Sequence, residues 1–234
     1  MALVFDIETV GEEWNTLDEA SQDGLLRWTR ESARDDEEYE QEAKQIRDGL
    51  GFSPLTGFIV AIGVYDTEKG KGAVYFSAPD AKLKDSEESG ISYRPMDEKG
   101  ILEQFWKVAK VCTEFVSFNG RAFDAPFLAI RSMVHGVKPT KDLLEGRYLY
   151  QQRGCKHYDL LDQLSFYGAA RFKGKSLHLF CRALGIESPK VSGTTGDDVA
   201  KLYAEKKYLD IARYNAGDLR ATAALYRHWS DTLR

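Results

Sequence analysis

Asp6 and Glu8 stand in an apolar run, MALVFD continuing as FDIET, and side chains two apart on a strand point to one face. Two carboxylates then converge beside a core, where they are costly unless paired or bound to metal. Carboxylate oxygens suit hard divalent cations such as Mg²⁺ and Mn²⁺. The same Asp-x-Glu spacing recurs at Asp35 and Glu37, Asp36 and Glu38, and Asp85 and Glu87, in hydrophilic stretches; the apolar strand sets Asp6 and Glu8 apart. A second stretch, Asn119-Gly120-Arg121-Ala122-Phe123-Asp124-Ala125-Pro126, places a carboxylate just past a predicted strand and at a predicted helix start. Alone, Asp124 reads as an ordinary helix N-cap. A third, Tyr214-Asn215-Ala216-Gly217-Asp218, puts phenol and carboxylate four apart, roughly 40° from each other on a helix surface. Alone, that pair reads as a half-buried Tyr and a surface Asp.

The elements that must position these groups follow from periodicity. Strands are predicted at Met1 to Asp6, Gly57 to Asp66, Gly72 to Ser77 and Glu114 to Phe118, with the turn Thr67 to Gly70 closing a hairpin. Helices are predicted at Glu98 to Lys110, Asp124 to His135, Ser176 to Leu184 and Tyr208 to Leu233, where apolar residues recur every three or four positions. The order implies an α/β fold with a mixed central β-sheet flanked by helices. An acidic helical insertion, about residues 11–51, follows the first strand, and Asp80 to Tyr93 reads as a polar, peripheral stretch. No internal repeat or low-complexity linker divides the 234 residues, so a single domain over 1–234 is expected.

Taken together, the three carboxylate stretches resemble the DEDD superfamily of 3′-to-5′ exonucleases, which have a ribonuclease H-like fold. The likeness is greatest to the proofreading exonuclease domain of family B DNA polymerases and its stand-alone bacterial and phage relatives. It runs from Leu3 to about Tyr226 and includes His157-Tyr158-Asp159-Leu160 and the stretch Leu177 to Lys190. Arg213 stands where the superfamily's histidine branch has its histidine, and Tyr214 stands at the tyrosine-branch position, so the resemblance is to the tyrosine form. It implies that Asp6, Glu8, Asp124 and Asp218 hold two divalent metal ions, Mg²⁺ or Mn²⁺, with Asp6 bridging them, and that Tyr214 orients the attacking water. It also implies contacts to the substrate strand: Thr9 and Val10 with the terminal sugar and base, Asn119 and Phe123 with the next nucleotide. For Phe123, core packing is the competing reading. Asp159 is expected to be a supporting residue, and His157 to contact phosphate or bond Asp159.

A formal charge of −5 argues against coating nucleic acid by bulk positive charge. The distribution alters that inference. Residues 136–192 carry ten Lys or Arg against five Asp or Glu, whereas Glu31 to Asp48 carry eight acids against three bases. Two divalent ions would bring the formal total to about −1. Lys173, Lys175 and Lys190 are the expected contacts to a single-stranded backbone. The expected partner is the 3′ end of single-stranded nucleic acid, DNA favoured over RNA. An RNA-trimming enzyme and a catalytically silent binding module of the same fold are the alternatives, and the presence of all five chemistry-bearing residues counts against silence. Three cysteines lack metal-site spacing, and no apolar run approaches the roughly 18 residues of a membrane span, so a soluble cytoplasmic protein without a polymerase domain is expected.

Overall fold

The computed structural model describes residues 2–171, 173–188 and 198–234. Its sheet consists of β1 (Ala2–Gly11), β2 (Gly57–Asp66), β3 (Lys71–Phe76), β4 (Ser86–Glu88), β5 (Ile91–Pro95), β6 (Glu114–Ser117) and β7 (Lys156–Asp159). The strands lie in the order β4-β5-β3-β2-β1-β6-β7. β1, β2 and β3 form an antiparallel meander, while β6 and β7 run parallel to β1 and to each other. The predicted hairpin is present. Asp66 accepts the backbone N–H groups of Glu68 and Lys69 and so shapes its turn.

Helices cover both faces. On one, α8 (Tyr208–Thr232) packs Ile211, Ala216, Leu219 and Ala223 against Val4, Val10, Val60 and Val74. On the other, α3 (Glu98–Ala109) and α4 (Asp124–Val134) pack Leu102, Phe105 and Phe127 against Phe5, Ile7 and Ile62. Along β1, odd positions therefore serve the α3–α4 side. Even positions face α8, and in that row Asp6 and Glu8 replace the aliphatic side chains expected between Val4 and Val10. Glu98 secures α4 from below: it accepts two bonds from Arg131, one from the Ile59 N–H, and meets His135 at 2.7 Å.

The insertion folds as α1 (Glu19–Ser32) and α2 (Asp36–Asp48), capped by Asp18 and Asp35 and mostly solvated. It rejoins the sheet at Leu50–Phe52, where the Thr9 hydroxyl donates to the Gly51 carbonyl at 2.7 Å. Two expectations are corrected. The first strand runs on to Gly11, so Asp6 and Glu8 sit within it, because β2 pairs along its whole length. The stretch from Asp80 is not all peripheral: β4 and β5 extend the sheet, and Ile91 and Tyr93 are buried against α8's side. The remaining α-helices among the described residues are α5 (Leu160–Leu164), α6 (Leu177–Leu184) and α7 (Val199–Ala204).

Candidate active site

β6 pairs with β1 only alongside Ala2 to Val4, leaving the carboxyl-terminal half of β1 uncovered on that edge. Ligand sites in open α/β sheets favour such strand ends. Asp6 and Glu8 occupy this half, the Asn119–Asp124 loop leaves β6 beside it, and Asp159 ends β7. From above, α8 lowers Tyr214, Asn215 and Asp218 onto the same place. One oxygen from each of Asp6, Glu8 and Asp218 lies within 4.8 Å of the others, a donor set suited to a hard cation.

Asp124 is the fourth carboxylate, and it does not act as an N-cap. It is the first residue of α4, is buried, and its Oδ1 accepts the Ile7 N–H of β1 at 3.0 Å. The bond ties the second stretch to the first. Gly120 is required beside it, because a Cβ there would fall 2.3 Å from Ser117 Oγ. Asn119 adopts φ 65°, which asparagine tolerates better than most residues. Asp159 holds this loop, accepting the N–H groups of Asn119 and Arg121 at 2.9 Å while capping α5.

Crowding carboxylates in a core has an electrostatic consequence. Burial, then the charges of Asp124, Glu8 and Asp218, holds the Asp6 carboxyl well above the ordinary range; Glu8 is raised by burial and Asp218. Asp124 is pushed up to about 7 by burial and the charges of Asp159 and Asp218, against the opposing Ile7 bond. Burial, then the charges of Asp218 and Glu8, raises Tyr214 far above an ordinary phenol, so it remains a proton donor.

Sequence reasoning misses Asn215 as a functional residue. It is wholly buried, and its Nδ2 donates to Asp6 Oδ2 at 2.8 Å, with Glu8 Oε1 at 3.4 Å. It therefore links the β1 carboxylates to α8. Gly63, opposite Asp6 on β2, makes this approach feasible: a Cβ there would lie 2.0 Å from Asn215 Oδ1 and 2.5 Å from Leu219 Cδ1. Gly63→Ala is expected to force α8 off the sheet and destabilise the protein by about 3 kcal/mol, the upper end for overpacking. A thermal melt within about 1 °C of wild type would show that the contact is readily relaxed.

The expected substrate contacts are placed unevenly. A cavity of about 160 Å³ is lined by Asp6, Phe118, Leu177, His178, Ser188, Tyr214 and Asp218. Lys173 and Lys175 lie on the segment leading into α6, whose first residues form one wall; Lys190 lies outside the described residues. Phe123 bridges core and surface, 5.4 Å from Phe127 and 6.5 Å from the exposed Phe52 just after the insertion. Val10 is a core residue, and the Thr9 hydroxyl is committed to Gly51. His157 corrects an expectation. It is 1% exposed, its Nδ1–H donates to the Leu143 carbonyl and its Nε2 accepts from the Ser117 hydroxyl, leaving no nitrogen for phosphate or Asp159. Burial lowers it to about 4, so it serves as a neutral brace between β7 and its neighbours.

The mixed seven-stranded sheet flanked by helices makes this an α/β protein of ribonuclease H-like architecture, with the carboxylates gathered at one edge. Residues 77–231 match the family described as "Predicted 3'-5' exonuclease related to the exonuclease domain of PolB", and the chain belongs to that family. The matched span contains Asp124, Tyr214 and Asp218 and begins after Asp6 and Glu8. The catalytic subunit of DNA polymerase epsilon from Schizosaccharomyces pombe is 26% identical over 147 residues, 58% of this chain but 6% of that protein. A family B DNA polymerase structure from the hyperthermophilic archaeon Pyrobaculum calidifontis superposes with TM-score 0.57 at 19% identity, over 98% of this chain and 24% of the polymerase. The chain thus spans a small part of each of these relatives. Among the described residues, no helix is long and apolar enough to cross a membrane.

Proposed function

We propose that this chain is a metal-dependent 3′-to-5′ exonuclease of the tyrosine form, removing nucleotides from single-stranded ends, DNA in preference to RNA. The observation that supports it most is the convergence of Asp6, Glu8 and Asp218 oxygens within 4.8 Å, with Tyr214 on the same wall. Two divalent cations, when bound, supply a nucleophilic water at neutral pH and neutralise charge on the attacking and leaving oxygens. Asp6, Glu8 and Asp218, whose oxygens converge, would hold them, with Asp124 as the fourth ligand. Asn215 keeps Asp6 and Glu8 oriented from above. Tyr214, held protonated with its hydroxyl bonded to Asp218, would position the attacking water rather than act as a full base.

Digestion of 5′-labelled single-stranded DNA and RNA with Mg²⁺, Mn²⁺ or EDTA tests this reading. A one-nucleotide ladder on DNA, lost in EDTA, is expected. A ladder that survives EDTA would remove the metals from the mechanism, a ladder on RNA alone would make this an RNA-trimming enzyme, and no cleavage of either would favour a silent binding module. Tyr214→Phe separates positioning from binding: turnover should fall roughly 10²-fold while affinity for the strand holds. Single-turnover rates beside anisotropy titrations would contradict the assigned role if affinity collapsed and turnover did not.

A further inference from the structure

Away from the carboxylates, the segment after α4 and the turn after α5 bring three tyrosine rings together, with Phe166 next to the third in sequence. The Tyr148 and Tyr150 rings stack 5.7 Å apart with planes 5° from parallel, and Tyr167 meets Tyr148 edge-on at 4.8 Å. Tyr150 is 80% exposed and the neighbouring Phe166 is 60% exposed. Phe166 and Tyr167 both have φ above +50°, a conformation unfavourable for bulky side chains. The turn is held there by bonds from the Tyr167 N–H to the Asp162 carbonyl, from the Ala170 N–H to the Ser165 carbonyl, and from Gln163 to the Tyr167 hydroxyl. Strain kept in place to present an aromatic ring to water suggests use of that ring.

The sequence flanking these rings is rich in exposed cations. Arg147, Arg153, Arg171 and Lys173 are exposed. The acids of residues 144–173 are Glu145, Asp159 and Asp162. Asp159 is enclosed by the loop it holds, Glu145 accepts the Gly154 N–H, and Asp162 is bridged by Arg147 at 3.1 Å. A cavity of about 450 Å³ is lined by Asn119, Arg121 and Asp159 together with Arg147 and Asp162, and so connects the Asn119 loop with the segment that carries Tyr148. Its Asp159 wall is close enough to Asp124 for its charge to raise that carboxyl.

We propose that Tyr148, Tyr150 and Phe166, with Arg147, Arg153 and Arg171, form a distal binding surface for single-stranded nucleic acid, upstream of the 3′ end. The inference rests on the exonuclease reading for the direction of the strand. Bases would stack on the rings, which tolerates any sequence, and the guanidinium groups would face phosphates. Charge complementarity and continuity with the Asn119 loop favour a nucleic-acid strand over a protein partner here.

Binding of 5′-fluorescein-labelled oligo-dT of 3 and 12 nucleotides in EDTA, by anisotropy at low salt, reads this surface without turnover. Wild type should bind dT12 at least about tenfold more tightly than dT3, and the Tyr150→Ala/Phe166→Ala double variant should lose roughly tenfold for dT12 with dT3 affinity retained. Photocrosslinking of 5-iododeoxyuridine placed at successive positions should label the 148–167 region from interior nucleotides. Equal dT12 affinity in wild type and the double variant, or crosslinks from the terminal nucleotide alone, would overturn the proposal and leave this face to a protein. Those results would not touch the exonuclease reading, which stands or falls on the digestion ladder; a chain that binds dT12 through this face without shortening it would sink that reading alone.

Discussion

Asp6→Ala should be catalytically dead yet at least as stable as wild type in the absence of metal. The half-buried Asp6 carboxyl lies among Asp124, Glu8 and Asp218, and each neighbour opposes its ionisation. Removing it relieves like-charge repulsion and desolvation, at the cost of one Asn215 bond of 2.8 Å. A carboxylate present for folding would behave oppositely, since its loss would lower stability. For the reaction, losing a residue that would help hold the divalent cations would forfeit several kcal/mol of charge stabilisation; about 4 kcal/mol corresponds to roughly 10³-fold in rate. Parallel measurement of nucleotide release and of metal-free melting separates the two roles. A ladder persisting in Asp6→Ala, or a variant melting well below wild type, would sink the assignment of Asp6 as a metal ligand.

The strands legible in sequence are those whose apolar character is continuous. β2, reading GFIVAIGVYD, is buried along most of its length, and its predicted and observed bounds coincide. β7, reading KHYD, escapes a reading by pattern because three of its four side chains are polar and its stability comes from parallel pairing to β6 rather than from its own periodicity. β5 alternates Ile91 and Tyr93 with Ser92 and Arg94, a half-buried period-two signal too short to stand out beside the charged residues before it.

At the candidate site, residue types and order suffice to single out the carboxylates, since ionisable groups in a buried strand are conspicuous. What sequence does not carry is the third dimension of polar satisfaction. Asp124 reads as a helix cap until its bond to Ile7 across 117 residues is visible. Asn215 lies between two singled-out positions, and a buried asparagine in a long helix is a signal, but its donation to Asp6 depends on Gly63 of β2. His157 reads as a candidate phosphate contact because imidazole is versatile; only the Leu143 carbonyl and Ser117 hydroxyl show both nitrogens to be spent.

The same crowding predicts how metal-free stability changes with pH. Asp124 titrates near 7 in the folded chain and near its ordinary 3.8 when unfolded. Between those values the folded state retains a proton that the unfolded state has released. Stability conferred by this group therefore falls as pH rises from about 4 to about 7, then levels. Asp6 and Glu8, also raised, act in the same direction. His157, lowered to about 4, acts oppositely, losing stability as pH falls below about 6.5. Wild type sums these contributions, so the Asp124→Asn difference isolates one of them. Over the window of about three pH units, the variant should gain on the order of 4 kcal/mol relative to wild type. Mg²⁺ or Mn²⁺ binding requires deprotonated carboxylates, so either ion should raise the melting temperature of wild type more at pH 8 than at pH 5, and less in the variant. Parallel pH profiles for the two proteins would show that Asp124 ionises normally in the folded chain. Equal metal shifts at pH 5 and pH 8 would show that the ions bind elsewhere than among these carboxylates.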